Sequence, residues 1–150
     1  MREFIEDLKQ TNLFFAIEPE EIDGLLHCLC AKYVRYAKGD YIIEEGNKVY
    51  DFGIILSGHG RAIKWDPSDR VILISLLKKG SEIGVILAAS LEHKSPVTVQ
   101  AEDDVLVLQI PFERVLARCE KACPRHDRLL RNYISIVAKK GLVLHERIDC

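Results

Sequence analysis

Between residues 31 and 110 the apolar residues fall into short runs bounded by glycine, proline or acids. Tyr41–Ile43, Phe52–Leu56, Val71–Leu77, Val97–Ala101 and Val105–Ile110 have strand length and are rich in β-branched or aromatic side chains. Gly39, Gly46, Gly58, Gly80 and Gly84 stand between or at the ends of these runs. Glycine tolerates a positive φ, so this ladder predicts sharp turns between strands. Trp65-Asp66-Pro67-Ser68-Asp69 concentrates turn formers and predicts a link between two antiparallel strands. Glu102-Asp103-Asp104 joins another pair. Short strands punctuated in this way predict a sandwich or jelly roll, whose interior has room for a small ligand. That favours a sensor over a catalyst.

A helical period flanks the strands. Pro19, set among Glu18, Glu20 and Glu21, suits a first helical turn, and Ile22, Leu25, Leu26 and Leu29 follow as one apolar stripe. Helix resumes at Pro111 with Phe112–Leu116 and again after Pro124. In the last segment Leu130, Ile134, Val137, Gly141, Leu144 and Ile148 are spaced alternately by four and three, the a/d seam of a coiled coil. A second stripe, Leu129, Tyr133, Ile136 and Val143, lies beside it. One stripe can rest on the β-roll while the other meets a partner helix, which predicts a homodimer through the C-terminal helix. The alternative is an amphipathic helix packed on its own domain. Gly141 interrupts the seam at a cost of about 1 kcal/mol relative to alanine, which close helix approach, a kink or room for a ligand would explain.

Bulk properties narrow the function. A chain of 150 residues is most simply one domain, and 48% hydrophobic with 29% charged residues is ordinary for a globular protein. The net charge of −2, with bases and acids interleaved, argues against holding nucleic acid through this segment. No apolar run reaches the ~18–20 residues needed to span a bilayer, and the N-terminus lacks the apolar core of a secretory signal. The expectation is a cytoplasmic protein without membrane association.

The candidate chemistry is sparse. Five cysteines (Cys28, Cys30, Cys119, Cys123 and Cys150) make an odd count, unlike a disulfide framework. Free cysteines of this kind commonly serve as small buried apolar side chains. His27, His59, His93, His126 and His145 are scattered, without the His-x-His pair of a cupin metal site. Asp66, Asp69, Asp103 and Asp104 read as turn and solvated-edge residues, and His59 as an exposed polar residue. No nucleophile–base pair or phosphate loop assembles, so neither enzyme activity nor a cofactor nor a metal is expected.

Tyr36-Ala37-Lys38-Gly39-Asp40-Tyr41-Ile42-Ile43-Glu44-Glu45-Gly46, Phe52 through Gly58, and Lys79-Gly80-Ser81-Glu82-Ile83-Gly84 resemble the cyclic-nucleotide-binding domain of the Crp/Fnr superfamily of bacterial transcription regulators. The resemblance covers nearly the whole chain. It implies a mainly β fold with flanking helices: a cyclic-nucleotide-binding-like jelly roll, or double-stranded β-helix, plus a long C-terminal dimerisation helix. The implied division is an effector-sensing β-roll over residues 1–123 and a dimerisation helix over 124–150. Family members usually continue into a helix-turn-helix domain; this chain carries none, so contact with DNA would need a domain outside it.

The resemblance also implies a site. Its effector pocket maps onto Ala62, Ile74, Ser75, Glu82, Ile83, Gly84, Val85, Ser95, Pro96, Val97 and Thr98, joined by Val137 and Gly141 from the long helix. Members that bind cyclic AMP place a Glu for the ribose, then an Arg and a Ser or Thr for the phosphate. Val85, Ser95 and Pro96 occupy those positions here, and each removes an interaction that a buried phosphate or ribose requires. Lys94 and Glu82 are the nearest substitutes. The expected pocket, with Ile86 added, is more apolar. It would suit an apolar or aromatic effector or haem, or the roll would fill itself with side chains. The leading expectation is the effector-sensing and dimerisation domain of a Crp/Fnr-type regulator that does not respond to cyclic AMP. Its effector is unknown, and an effector or redox event would shift the long helices around Val137 and Gly141. The alternative is a freestanding ligand-binding or protein-interaction module of the same fold.

Overall fold

Each apolar run becomes a strand in the computed structural model, which describes residues 4–117 and 124–149, with side chains as far as 142. In chain order the elements are α1 (Ile5–Lys9), α2 (Pro19–Cys28), β1 (Lys32–Tyr36), β2 (Tyr41–Ile43), β3 (Asp51–Ser57), β4 (Gly60–Trp65) and β5 (Val71–Leu77). There follow β6 (Glu82–Ile83), α3 (Val85–Ala89), β7 (Thr98–Ala101), β8 (Val105–Pro111), α4 (Phe112–Leu116) and α5 (Pro124–Asp149). They group into two compact units: Ala31–Phe112, and Met1–Cys30 together with Glu113–Cys150. This grouping joins α5 to the N-terminal helices, which the expected division after residue 123 sets apart.

The first unit is a pair of four-stranded antiparallel sheets, ordered β1-β8-β3-β6 and β2-β7-β4-β5. Ile55, Ile83, Val105 and Val107 of one sheet meet Ala62, Val99 and Ala101 of the other in a single apolar cluster. Strand β8 is buried on both faces, Leu106, Leu108 and Ile110 as well as Val105 and Val107. That suits an unbroken apolar run; an alternating one would leave a face in water. The run at Val71–Leu77 behaves otherwise. As edge strand β5, paired only to β4, it leaves Val71, Ile72, Leu73, Ile74 and Leu76 between 45 and 69% exposed.

All five ladder glycines have positive φ, from 71 to 92°. Gly58 shows why one of them is required. It turns β3 into β4 at φ 88°, and a Cβ there would collide with the carbonyl oxygen of Asp104 and lie 2.9 Å from the Asp103 carboxylate. The same carboxylate ties this turn to the β7–β8 turn: the His59 backbone N–H donates to Oδ1 at 2.6 Å, and His59 Nδ1 lies 2.8 Å from Oδ2. Asp103 and His59 thus form an exposed pair rather than isolated edge residues. The turn expected at Trp65–Asp69 forms around Asp66, whose carboxylate accepts the N–H groups of Ser68 and Arg70, both at 2.9 Å.

One helix went unread in the sequence. Gly84, in the left-handed region, leads into α3, so helix interrupts the stretch read as strands from Ala31 to Ile110. Val-Ile-Leu-Ala-Ala looks like a strand by its first residues, but local backbone geometry at Gly84 decides the matter.

In the second unit α2 begins at Pro19, as expected, and buries Ile22, Leu25 and Leu26. Helix α5 buries Leu129, Tyr133 and Ile136. The Asn132 amide donates to the carbonyls of Leu13 and Phe15, both at 2.8 Å, and His126 Nε2 donates to the Val115 carbonyl at 2.8 Å. Burial pushes the Tyr133 hydroxyl pKa well above its ordinary value. The neighbouring seam differs: Ile134 is 59% exposed, Leu130 and Val137 are half-buried, and Gly141 faces open space. The side chains of Leu144 and Ile148 lie outside the described residues, as do Cys119, Cys123 and Cys150. Cys28 and Cys30 are exposed, which corrects the expectation of small buried side chains. Among the described residues no helix is long and apolar enough to cross a membrane.

Gly58→Ala is expected to destabilise the protein by about 2 kcal/mol or more, read from the shift in urea midpoint, because it adds both φ strain and a clash. The hydrogen bonds from His59 hold the Asp103 pKa below its ordinary value of 3.8. Its contribution to stability is therefore present above that value and is lost as pH falls through the folded-state value. Urea midpoints of wild type and Asp103→Asn, measured from about pH 7 to pH 3, should converge at the acid end.

Candidate functional site

The expected pocket residues divide by strand position. Ala62, Ile83 and Val97 join or flank the apolar cluster between the sheets. Val85, on α3, is 3% exposed. Ile74 and Ser75 lie on exposed β5, and Pro96 and Ile86 are also exposed. Val137 and Gly141 belong to α5 in the helical unit.

Two of the three hydroxyls in this set, those of Ser95 and Thr98, are already engaged. Ser95 is 2% exposed; its Oγ donates to the Val97 carbonyl at 2.6 Å and accepts the Val97 N–H at 3.3 Å. Its backbone is held as well, since Gly46 N–H donates to the Ser95 carbonyl and Ser95 N–H to the Asn47 carbonyl. Thr98 Oγ1, 1% exposed, accepts the Glu45 N–H at 3.0 Å. These bonds fasten the loop after β2 to the segment that precedes β7. Lys94 is exposed and forms a backbone bridge with Lys48. Gly84 fits its place closely: a Cβ would lie 3.1 Å from Val49, 3.5 Å from Ile43 and 3.6 Å from the Asp51 carbonyl.

A cavity of about 380 Å³ opens between the sheets, beside Gly84. It shares only Ile83 with the expected pocket; its other walls include Tyr36, Ile43, Asp51, Val107 and Gln109. Strand register explains the set. Asp51 and Gly53 on β3, and Val107 and Gln109 on β8, lie two apart and so point to one face. Gly53 leaves space that Val107 fills, since a Cβ there would be 2.6 Å from Val107 Cγ1. Gln109 Nε2 donates to Asp51 Oδ2 at 2.7 Å. Tyr36 is half-buried, and its hydroxyl pKa is raised, first by burial and then by the carboxylates of Asp40 and Asp51. Sequence reasoning passed over Asp51 and Gln109. The available signal was a carboxylate and an amide inside otherwise apolar strands.

Among the described residues no group of three or more His, Cys, Asp or Glu is placed to hold a metal ion.

Residues 33–122 match the cyclic nucleotide-binding domain. cGMP-dependent protein kinase 2 of Mus musculus is 30% identical over 112 residues, 74% of this chain but only 14% of that protein. The human enzyme is likewise 30% identical, over 107 residues, with 71% of this chain and 14% of that protein covered. Catabolite Activator Protein of Thermus thermophilus superposes with a TM-score of 0.76 at 20% identity, covering 93% of this chain and 62% of that one. The sensor domain of the transcriptional regulator DNR from Pseudomonas aeruginosa gives 0.74 at 18% identity, covering 99% of this chain and 93% of that one. The expected jelly roll is therefore the fold adopted. With 33–122 running from β1 past α4, the chain belongs to the cyclic nucleotide-binding domain family.

Proposed function

We propose that this chain is the effector-sensing and dimerisation domain of a Crp/Fnr-type transcription regulator, and that it does not respond to cyclic AMP. The observation that carries the second half is the state of Ser95. At the position where the resemblance expects a phosphate-binding arginine stands a buried hydroxyl already bonded to Val97. Val85 offers no acceptor for a ribose hydroxyl, and Pro96 offers neither a hydroxyl nor an N–H donor. A charge-assisted hydrogen bond contributes about 1.5–3 kcal/mol, so three losses remove at least about three decades of affinity.

Dimerisation is supported by the two stripes of α5. Leu129, Tyr133 and Ile136 are buried, while Ile134 remains 59% exposed in a stripe with coiled-coil spacing. An effector acts in such a domain only by binding unequally to two arrangements of the paired helices. DNA contact belongs to a segment outside this chain. The reading assigns it no catalysis.

Cyclic AMP and cyclic GMP, titrated separately by calorimetry, should give no saturable heat up to about 100 μM; a low-micromolar Kd for either overturns the reading of Val85, Ser95 and Pro96. Ile134→Glu should leave the helical core intact yet shift the protein to monomer in sedimentation velocity at a loading where wild type is dimeric. A variant as dimeric as wild type would remove the seam from consideration.

A further inference from the structure

The cavity between the sheets has a chemistry that the effector reading does not use. Its lining includes the half-buried Asp51 carboxylate. Among the described residues that side chain's hydrogen-bond partner is the neutral Gln109 amide, on Oδ2, and no cation pairs with it. Lys48, the cation among the lining residues, is exposed and stands in the same wall as the exposed Glu44. A partly desolvated carboxylate without a counter-charge attracts a cation more strongly than one in open water. The Tyr36 hydroxyl adds a neutral polar group that can accept as well as donate.

The remaining walls mix the polar Asn47 and Tyr50 with apolar side chains. Ile43, Ile83 and Val107 face this space, and Val49 is 8% exposed beside it. A volume of about 380 Å³ falls within the range of small-ligand sites, ~300–1,000 Å³. Bare metal ions would find two carboxylates, Asp51 and the exposed Glu44, with neutral oxygens here, too few donors for a hard-cation cage. An anion would meet Asp51. A cation with a hydrocarbon body satisfies both halves of the lining.

We propose that this cavity binds a small organic ammonium ion, with its N–H donors on the Asp51 carboxylate and its hydrocarbon part against Ile43, Ile83 and Val107. The site is separate from the pocket expected around Ser95 and stands whether or not that pocket takes an effector.

The test compares three probes of similar shape on the wild-type chain by ¹H–¹⁵N NMR titration: n-butylammonium, 1-butanol and butyrate. Saturable shifts of the Asp51, Gly53, Val107 and Gln109 amides with butylammonium are expected, with affinity about tenfold or more above butanol and no binding of butyrate. Asp51→Asn, which keeps an oxygen and the shape, should reduce butylammonium to the level of butanol. Tyr36→Phe should weaken butylammonium by a few-fold while leaving the preference over butanol in place. Equal response to ammonium and alcohol in the wild type overturns the proposal without recourse to any variant. So does the absence of saturation at about 10 mM, or shifts confined to residues around Ser95.

Discussion

The apolar layer between the two sheets is the constraint on which the β unit depends. Ile55, Val105 and Val107 from one sheet and Ala62, Val99 and Ala101 from the other close into one cluster, at 1 to 7% exposure. Strands only two to seven residues long cannot bury that many side chains unless the chain turns back sharply between them. The positive-φ glycines supply those reversals, and the close approach of the Gly58 turn to Asp104 ties one hairpin to the next. Core and turns are one requirement seen from two sides.

That closure also fixes what each site can do. With Ser95 and Thr98 fully buried, their hydroxyls had to find partners within the fold, and they found them in Val97 and Glu45. A buried polar group left unmatched costs more than the bond returns, so these hydroxyls are committed to structure. Asp51 sits differently. It lies near the end of β3, only half-buried, where a single neutral amide suffices to hold it and one face of the carboxylate lobe borders the cavity.

The helical unit rests on a related economy. Asn132 caps two carbonyls from the irregular stretch after α1, and the stripe of Leu129, Tyr133 and Ile136 is buried. Because 3.6 residues per turn places Ile134 about 100° away from Tyr133, burying one stripe leaves its neighbour turned outward. The exposed stripe is a geometric consequence of the buried one, and it is the surface on which the dimer reading rests.

Much of this was written in local sequence. The glycine ladder, the Asp66 turn and the Pro19 helix start follow from residue-level preferences for φ and capping, which need no distant partner; the strand pattern allowed a sandwich or a jelly roll, and the family resemblance implied the latter. Side-chain burial did not follow. Val71–Leu77 and Val105–Ile110 are equally apolar, yet one is an exposed edge and the other is buried on both faces, because the position of a strand within its sheet is set by non-local pairing. The same holds for α3, whose start is set by backbone geometry at Gly84 in a crowded corner. It holds also for Asp51 and Gln109, 58 residues apart in sequence, which only the β3–β8 register brings to one cavity wall.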